Sequence, residues 1–84
     1  MNSTALGEAV IASLGEVAPE MDAVSLDRSA PIADQLEIDS MDFLDFVVGL
    51  AQRTGVEVPE RDYAELASVD GCVRYIEARL ASPK

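Results

Sequence analysis

Histidine is absent from all 84 residues. With it goes the commonest general base near neutral pH, so a Ser-His-Asp nucleophile and most zinc chemistry are excluded. Cys72 is the single cysteine, which rules out an internal disulfide and any cysteine-rich metal site. Basic residues are few: six Lys and Arg stand against sixteen Asp and Glu, a net charge of −10 spread along the chain. Nucleic acid and anionic membrane surfaces are therefore poor partners, and proteins with basic patches are good ones. No apolar run approaches the roughly 18 residues of a membrane span. The opening Met-Asn-Ser-Thr carries no basic n-region, so a soluble cytoplasmic protein without membrane insertion is expected. The alternating Asp-x-Asp-x-Asp-Gly calcium loop is missing, as is any phosphate loop. An enzyme is the least supported class, with no catalytic residue and no metal ligand to assign.

What is present centres on residues 39–51, which read as one helix. From Met41 to Ala51 only Asp42, Asp45 and Gly49 are not apolar, and they fall at i, i+3 and i+7 in one narrow stripe. A helix apolar nearly all round in a small protein is either central to the core or keeps apolar surface for a ligand or partner. Asp39 suits the N-cap, with Asp42 three positions on in a variant of the capping box. Ser40 then opens the helix, where unpaired amides and the positive end of the macrodipole favour an anion on its hydroxyl. Asp-Ser before an apolar run is also ordinary capping chemistry, and the dipeptide alone does not separate the two readings.

Around this stretch the chain predicts three more helices and the connections between them. Ser3 or Thr4 can cap a first helix whose face is Leu6, Val10, Leu14 and Val17 and which stops at Ala18-Pro19. Residues 19–38 form a long connection carrying Met21, Val24, Leu26, Ile32, Leu36 and Ile38, which argues for packing onto the helices, with a short helical turn around Ile32 to Leu36. Arg53 and Gly55 mark the end of the central helix. Val56-Glu57-Val58 is better read as an extended connector than as an unpaired strand, and Pro59 suits the first position of a short helix through Leu66. Ser68 can cap a last helix with Val69, Cys72, Val73, Ile76 and Leu80 as its core stripe. Cys72 reads as a small buried apolar residue, and Tyr63 and Tyr75 as packing residues with wet hydroxyls. The fold class is all-α: a four-helix bundle of three longer helices and one short helix, with a long packed loop between the first and second. One domain, residues 1–84, is expected, with 82–84 a loose tail.

These residues bring a resemblance into view. Ile32-Ala33-Asp34-Gln35-Leu36-Glu37-Ile38-Asp39-Ser40-Met41-Asp42 resembles the Asp-Leu-Gly-x-Asp-Ser-Leu-Asp pattern of the acyl carrier proteins and related phosphopantetheine-carrying domains. Val56-Glu57-Val58-Pro59-Glu60 and the run from Ser68-Val69 through Tyr75-Ile76 are similar to later segments of that family, at similar spacing. The resemblance implies that Ser40 receives 4'-phosphopantetheine from coenzyme A by way of a phosphopantetheinyl transferase. The arm's thiol would hold acyl intermediates as thioesters for acyl-loading and acyl-processing enzymes. Asp39, Asp42 and Asp45 match the acidic positions that meet basic docking patches on those partners. The chain itself would be a monomer and a non-catalytic carrier.

The departures from the pattern bear on the pathway. Glu37 stands where a glycine is usual, Met41 replaces leucine, and Ala51, Gln52 and Arg53 stand where fatty acid carriers continue with acidic residues. Thr54 occupies a common aromatic position. They suggest a specialised carrier for a modified fatty acid, lipid or polyketide pathway, and Met1 with a full bundle suggests a discrete protein. A peptidyl or aminoacyl carrier stays open as a close variant. An unmodified acidic helical interaction module, in which Ser40 only caps, is the alternative from another class.

Overall fold

Apolar side chains recurring every three or four residues build three α-helices: α1 (Ser3–Val17), α2 (Ser40–Thr54) and α3 (Val69–Ala81). In this computed structural model, which describes residues 2–81, two 3₁₀ segments complete the order. The first, Ile32–Asp34, lies in the long connection, and the second, Glu60–Leu66, is the short helix between α2 and α3. No strand occurs among the described residues, and Val56-Glu57-Val58 is an extended connector. The architecture is the expected all-α bundle. Ser82-Pro83-Lys84, read as a loose tail, lie outside the described residues.

Helix α1 packs against both α2 and α3, while the Glu60–Leu66 helix packs against α3. Leu6, Val10 and Leu14 of α1 meet Phe46 and Leu50 of α2 and Cys72 and Ile76 of α3 in one core. Leu80, which the spacing places in the core stripe, is instead 45% exposed. Its partner helix ends too soon: α1 begins at Ser3, whose hydroxyl donates to the Glu77 carboxylate, and Leu80 lies nearly one turn beyond Glu77. The α1 cap also differs from expectation. Asn2, not Ser3 or Thr4, accepts from the Ala5 amide at 2.8 Å, and its carbonyl takes the Leu6 amide at 2.9 Å. Asparagine caps as well as serine does, and starting at Asn2 frees Ser3 for Glu77.

The long connection is held because its backbone groups find partners. The Gln35 side chain accepts from the Asp27 amide and donates to the Asp27 carbonyl, each at 2.7 Å, closing the loop on itself. Ile32 donates to the Ala67 carbonyl at 2.7 Å and Asp70 to the Arg28 carbonyl at 2.9 Å, tying the loop to the start of α3. Met21, Leu26, Leu36 and Ile38 rest on the core and Ile32 is buried in it, but Val24 is 94% exposed. Val24 sits in a turn pinned by the Asp22 carboxylate, which accepts from the amide of Val24 and the hydroxyl of Ser25, so its side chain points outward.

Pro59 stands just outside the second 3₁₀ helix in extended backbone, not at its first position as expected. Ser68 caps α3 by accepting from the Gly71 amide at 3.0 Å. At Gly71 the two elements touch: a Cβ there would lie 2.6 Å from the Glu65 carbonyl oxygen. Alanine in a helix gains up to about 1 kcal/mol over glycine. Overpacking against an atom that cannot swing aside costs about 1–3 kcal/mol. Gly71→Ala is therefore expected to lower the urea midpoint, and an unchanged or raised midpoint would show that this junction yields freely.

Candidate functional site

The site is built on the N-terminus of α2. The Asp39 carboxylate accepts from the Asp42 amide at 2.8 Å, and the Asp42 carboxylate accepts from the Asp39 amide at 3.3 Å, so the capping box is reciprocal. The Asp39 carbonyl takes the Phe43 amide at 2.9 Å. That leaves the amides of Ser40 and Met41, at the first two helical positions, without an intrahelical partner. Ser40 is exposed on this first turn. Its hydroxyl differs from those of the other described serines: Ser3, Ser13, Ser25, Ser29 and Ser68 all use theirs in hydrogen bonds, and among the described residues Ser40 does not. Asp39 is the cap, so Ser40 is free of that task.

The expected stripe of Asp42, Asp45 and Gly49 divides. Asp45 is exposed and Asp42 half-buried, whereas Gly49 is buried where α2 crosses α1. There Arg53 grips Glu16 with both ends of its guanidinium, at 2.8 and 3.2 Å, and reaches the Ser13 hydroxyl at 3.3 Å. This pairing holds the Glu16 carboxyl below its usual range and turns the positive charge of Arg53 toward α1. The apolar surplus of α2 also divides: Phe46, Val47 and Leu50 enter the core, while Met41, Leu44 and Val48 are 69%, 46% and 55% exposed. Those three lie at i, i+3 and i+7, interleaved with Asp42 and Asp45 on the solvent side. Their run was visible in the sequence, but which of the apolar residues would face out was not.

Beside Ser40 opens a hollow of about 370 Å³, walled by Ile32, Ile38, Phe43 and Leu66 and bordered by Asp39 and Ser40 themselves. Asp39 and Asp42 each give one carboxylate oxygen to the box, and among the described residues no hydrogen bond ties the Ser40 hydroxyl to a base that would make it a nucleophile of its own. It can instead present an oxygen to another enzyme. A phosphodiester attached there would meet two unpaired amides and a helix N-terminus, next to an apolar recess, and these residues fit a phosphopantetheine group.

Comparison with known proteins agrees. The sequence model of the phosphopantetheine attachment site family matches residues 8–76. The chain is 35% identical over 75 residues to the acyl carrier protein of Rhodococcus erythropolis, covering 83% of this chain and 80% of that protein. It is 33% identical over 82 residues to the acyl carrier protein of Renibacterium salmoninarum, covering 92% and 99%. This chain belongs to the acyl carrier protein family. A further relative, 32% identical over 73 residues with 83% and 74% covered, is the meromycolate extension acyl carrier protein of Mycolicibacterium smegmatis. The cofactor of the family is phosphopantetheine, and its members work with phosphopantetheinyl transferases and acyl-processing enzymes. Among the described residues no helix is long and apolar enough to cross a membrane, and no His, Cys, Asp and Glu cluster could hold a metal ion.

Two other side chains of this carrier behave as follows. Tyr75 is a packing residue, as expected: it is 8% exposed, and its hydroxyl donates to the Asp62 carboxylate at 2.6 Å in a part-buried bond. Burial, with that carboxylate, raises its pKa. Cys72 is fully buried, as expected, 3.5 Å from the Leu66 carbonyl, and burial pushes its thiol from 9.0 up to about 12. Between these values the unfolded chain ionises its thiol and the folded one does not. The stability conferred by the buried neutral thiol is thus complete below pH 9.0 and falls by about 1.4 kcal/mol per pH unit as pH rises toward 12. At neutral pH Cys72 is expected to ignore a thiol-reactive dye until denaturant is added. Native titration then counts the thiol of an attached arm alone: none in the unmodified carrier, one after modification.

Proposed function

We propose that Ser40 is the attachment residue and that the chain carries acyl groups, as thioesters on 4'-phosphopantetheine, for a specialised lipid pathway. The observation that carries this reading is the exposed Ser40 hydroxyl, unengaged among the described residues, behind a cap that does not need it and beside an apolar hollow. In the modifying reaction the Ser40 oxygen bonds to phosphorus as the pyrophosphate link of coenzyme A breaks. Adenosine bisphosphate leaves, and the hydroxyl proton passes to a base of the transferase.

Asp39, Asp42 and Asp45 supply charge for basic docking patches, and the exposed Met41, Leu44 and Val48 supply the apolar contact between them. Each exposed ion pair is worth only about 0–1 kcal/mol, so charge orients the partner and buried apolar area holds it. The carrier performs no catalysis, acts as a monomeric single domain of residues 1–84, and works in the cytoplasm where coenzyme A and the transferase meet it. Relatives named for meromycolate extension, together with Ala51, Gln52 and Arg53 at the end of α2, favour a dedicated lipid pathway over general fatty acid synthesis.

The test is intact mass after incubation with coenzyme A and a broad-specificity phosphopantetheinyl transferase, followed by fragment mapping. One phosphopantetheinyl increment on the peptide containing Ser40 is expected. A folded protein that takes none from several transferases would return the chain to the class of unmodified acidic interaction modules.

A further inference from the structure

Phe43 walls the hollow beside Ser40, and the ring of Tyr63 lies against Phe43. Phe43 follows Ser40 by three residues on α2, and Tyr63 lies in the middle of the Glu60–Leu66 helix; both are half-buried against the core. Their rings meet edge to face, with centroids 5.5 Å apart and planes at 69°. Phe43 also leans on Phe46 at 5.9 Å, and Phe46 is fully buried, so the Phe43 ring is braced from inside by the core and from outside by Tyr63. One hollow lies on each side of this pair. On the Ser40 side is the 370 Å³ recess, for which Phe43 is a wall; beyond is a second recess of about 510 Å³, bounded by Tyr63 with Val47, Ala51 and Val58. The two share no lining residue. The aromatic contact joins the border of one to the border of the other.

We propose that the Phe43–Tyr63 pair is a partition that sets how much of a cargo chain the bundle covers. The occupant is an aliphatic acyl chain, because the recess is continuous with Ser40 and its wall is almost wholly apolar. This inference rests on the reading of Ser40 as the attachment site. A short chain entering from the Ser40 side stays in the first recess. A long chain reaches the second only if both rings turn, which breaks their edge contact and takes Phe43 off its support on Phe46. The end of a long chain is accordingly left outside, available to a partner enzyme.

The experiment attaches butyryl, octanoyl or palmitoyl pantetheine arms to the wild type, Tyr63→Ala and Tyr63→Phe, and compares backbone amide shifts. In the wild type and Tyr63→Phe, the short chain moves the amides of Ile32 and Ile38, and lengthening to palmitoyl leaves Ala51 and Val58 where butyryl left them. In Tyr63→Ala, palmitoyl but not butyryl moves Ala51 and Val58. Should Tyr63→Ala unfold, Tyr63→Leu removes the ring at smaller loss of volume and takes its place. Movement of Ala51 and Val58 by palmitoyl in the wild type, as large as in the ring-free variant, overturns the partition; so does a folded ring-free variant in which they stay still. If intact mass shows no arm at Ser40, the carrier reading itself falls, and that case is told apart before any spectrum is taken.

Discussion

Ser40→Ala is expected to abolish phosphopantetheinyl loading and to leave the thermal midpoint within about 4 °C of the wild type. The two halves of this expectation come from one geometric fact. Capping falls to Asp39, whose carboxylate takes the Asp42 amide at 2.8 Å, so the serine hydroxyl that follows has no structural duty to lose. An exposed substitution of this kind changes stability by about 0.5 kcal/mol at most. Asp39→Ala should behave in the opposite way: it removes the cap, costing about 0.5–2 kcal/mol, yet keeps the acceptor oxygen. It should therefore melt earlier while still accepting an arm, at a rate reduced by the lost charge beside Ser40. Intact mass and a thermal melt on the two variants make the comparison. Loading that persists in Ser40→Ala would mean that another hydroxyl is the acceptor. Ser13, Ser25 and Ser29 are poor substitutes, since Ser13 is buried on the Ala9 carbonyl and Ser25 and Ser29 are drawn to Asp22 and Asp27.

What could be read from residue order was what depends on neighbours within about one helical turn. The Asp39 cap, the opening of α2 at Ser40, the stop at Gly55 with its left-handed backbone and the Ser68 cap are all of this kind. The stretch from Ile32 to Asp42 that resembles the family's pattern is local in the same sense. Features set by where another element ends were not. Leu80 has the right spacing for a core residue and is exposed only because α1 starts at Ser3. Met41, Leu44 and Val48 belong to a helix apolar on nearly every side, so periodicity could not choose its outer face; the placement of α1, and of Tyr63 against Phe43, chose it. Gln35 and Asp62 are single polar residues in irregular or 3₁₀ segments, where no period marks a partner. The hydrogen bonds they make to Asp27 and Tyr75 are evident only once the loop and the short helix are in place.

Phe46→Ala is the change expected to harm the folded state most. Phe46 is the largest fully buried side chain, on the inner face of the helix that carries Ser40. Truncating a buried phenylalanine to alanine costs about 3–5 kcal/mol, the lost transfer energy plus the cavity left behind. A domain of this size has a total stability of roughly 5–10 kcal/mol, so one substitution removes about three-tenths of it or more. With about 4–8 °C of midpoint per kcal/mol, the melt should fall by about 12–40 °C. The charge of −10 adds to the effect, because self-repulsion of the carboxylates weighs against a state with little margin. Added salt should thus recover part of the midpoint of Phe46→Ala through screening, and more in proportion than for the wild type. Loss of the ring also takes away the inner support of Phe43, beside Ser40. Loading of Phe46→Ala should accordingly track the folded fraction, being near normal in the cold and failing at temperatures where wild type is still modified. A midpoint within a few degrees of the wild type would show that the core around α2 collapses to fill the space. In that case the recess beside Ser40 should shrink as well, and the amide shifts caused by a short acyl chain should change with it.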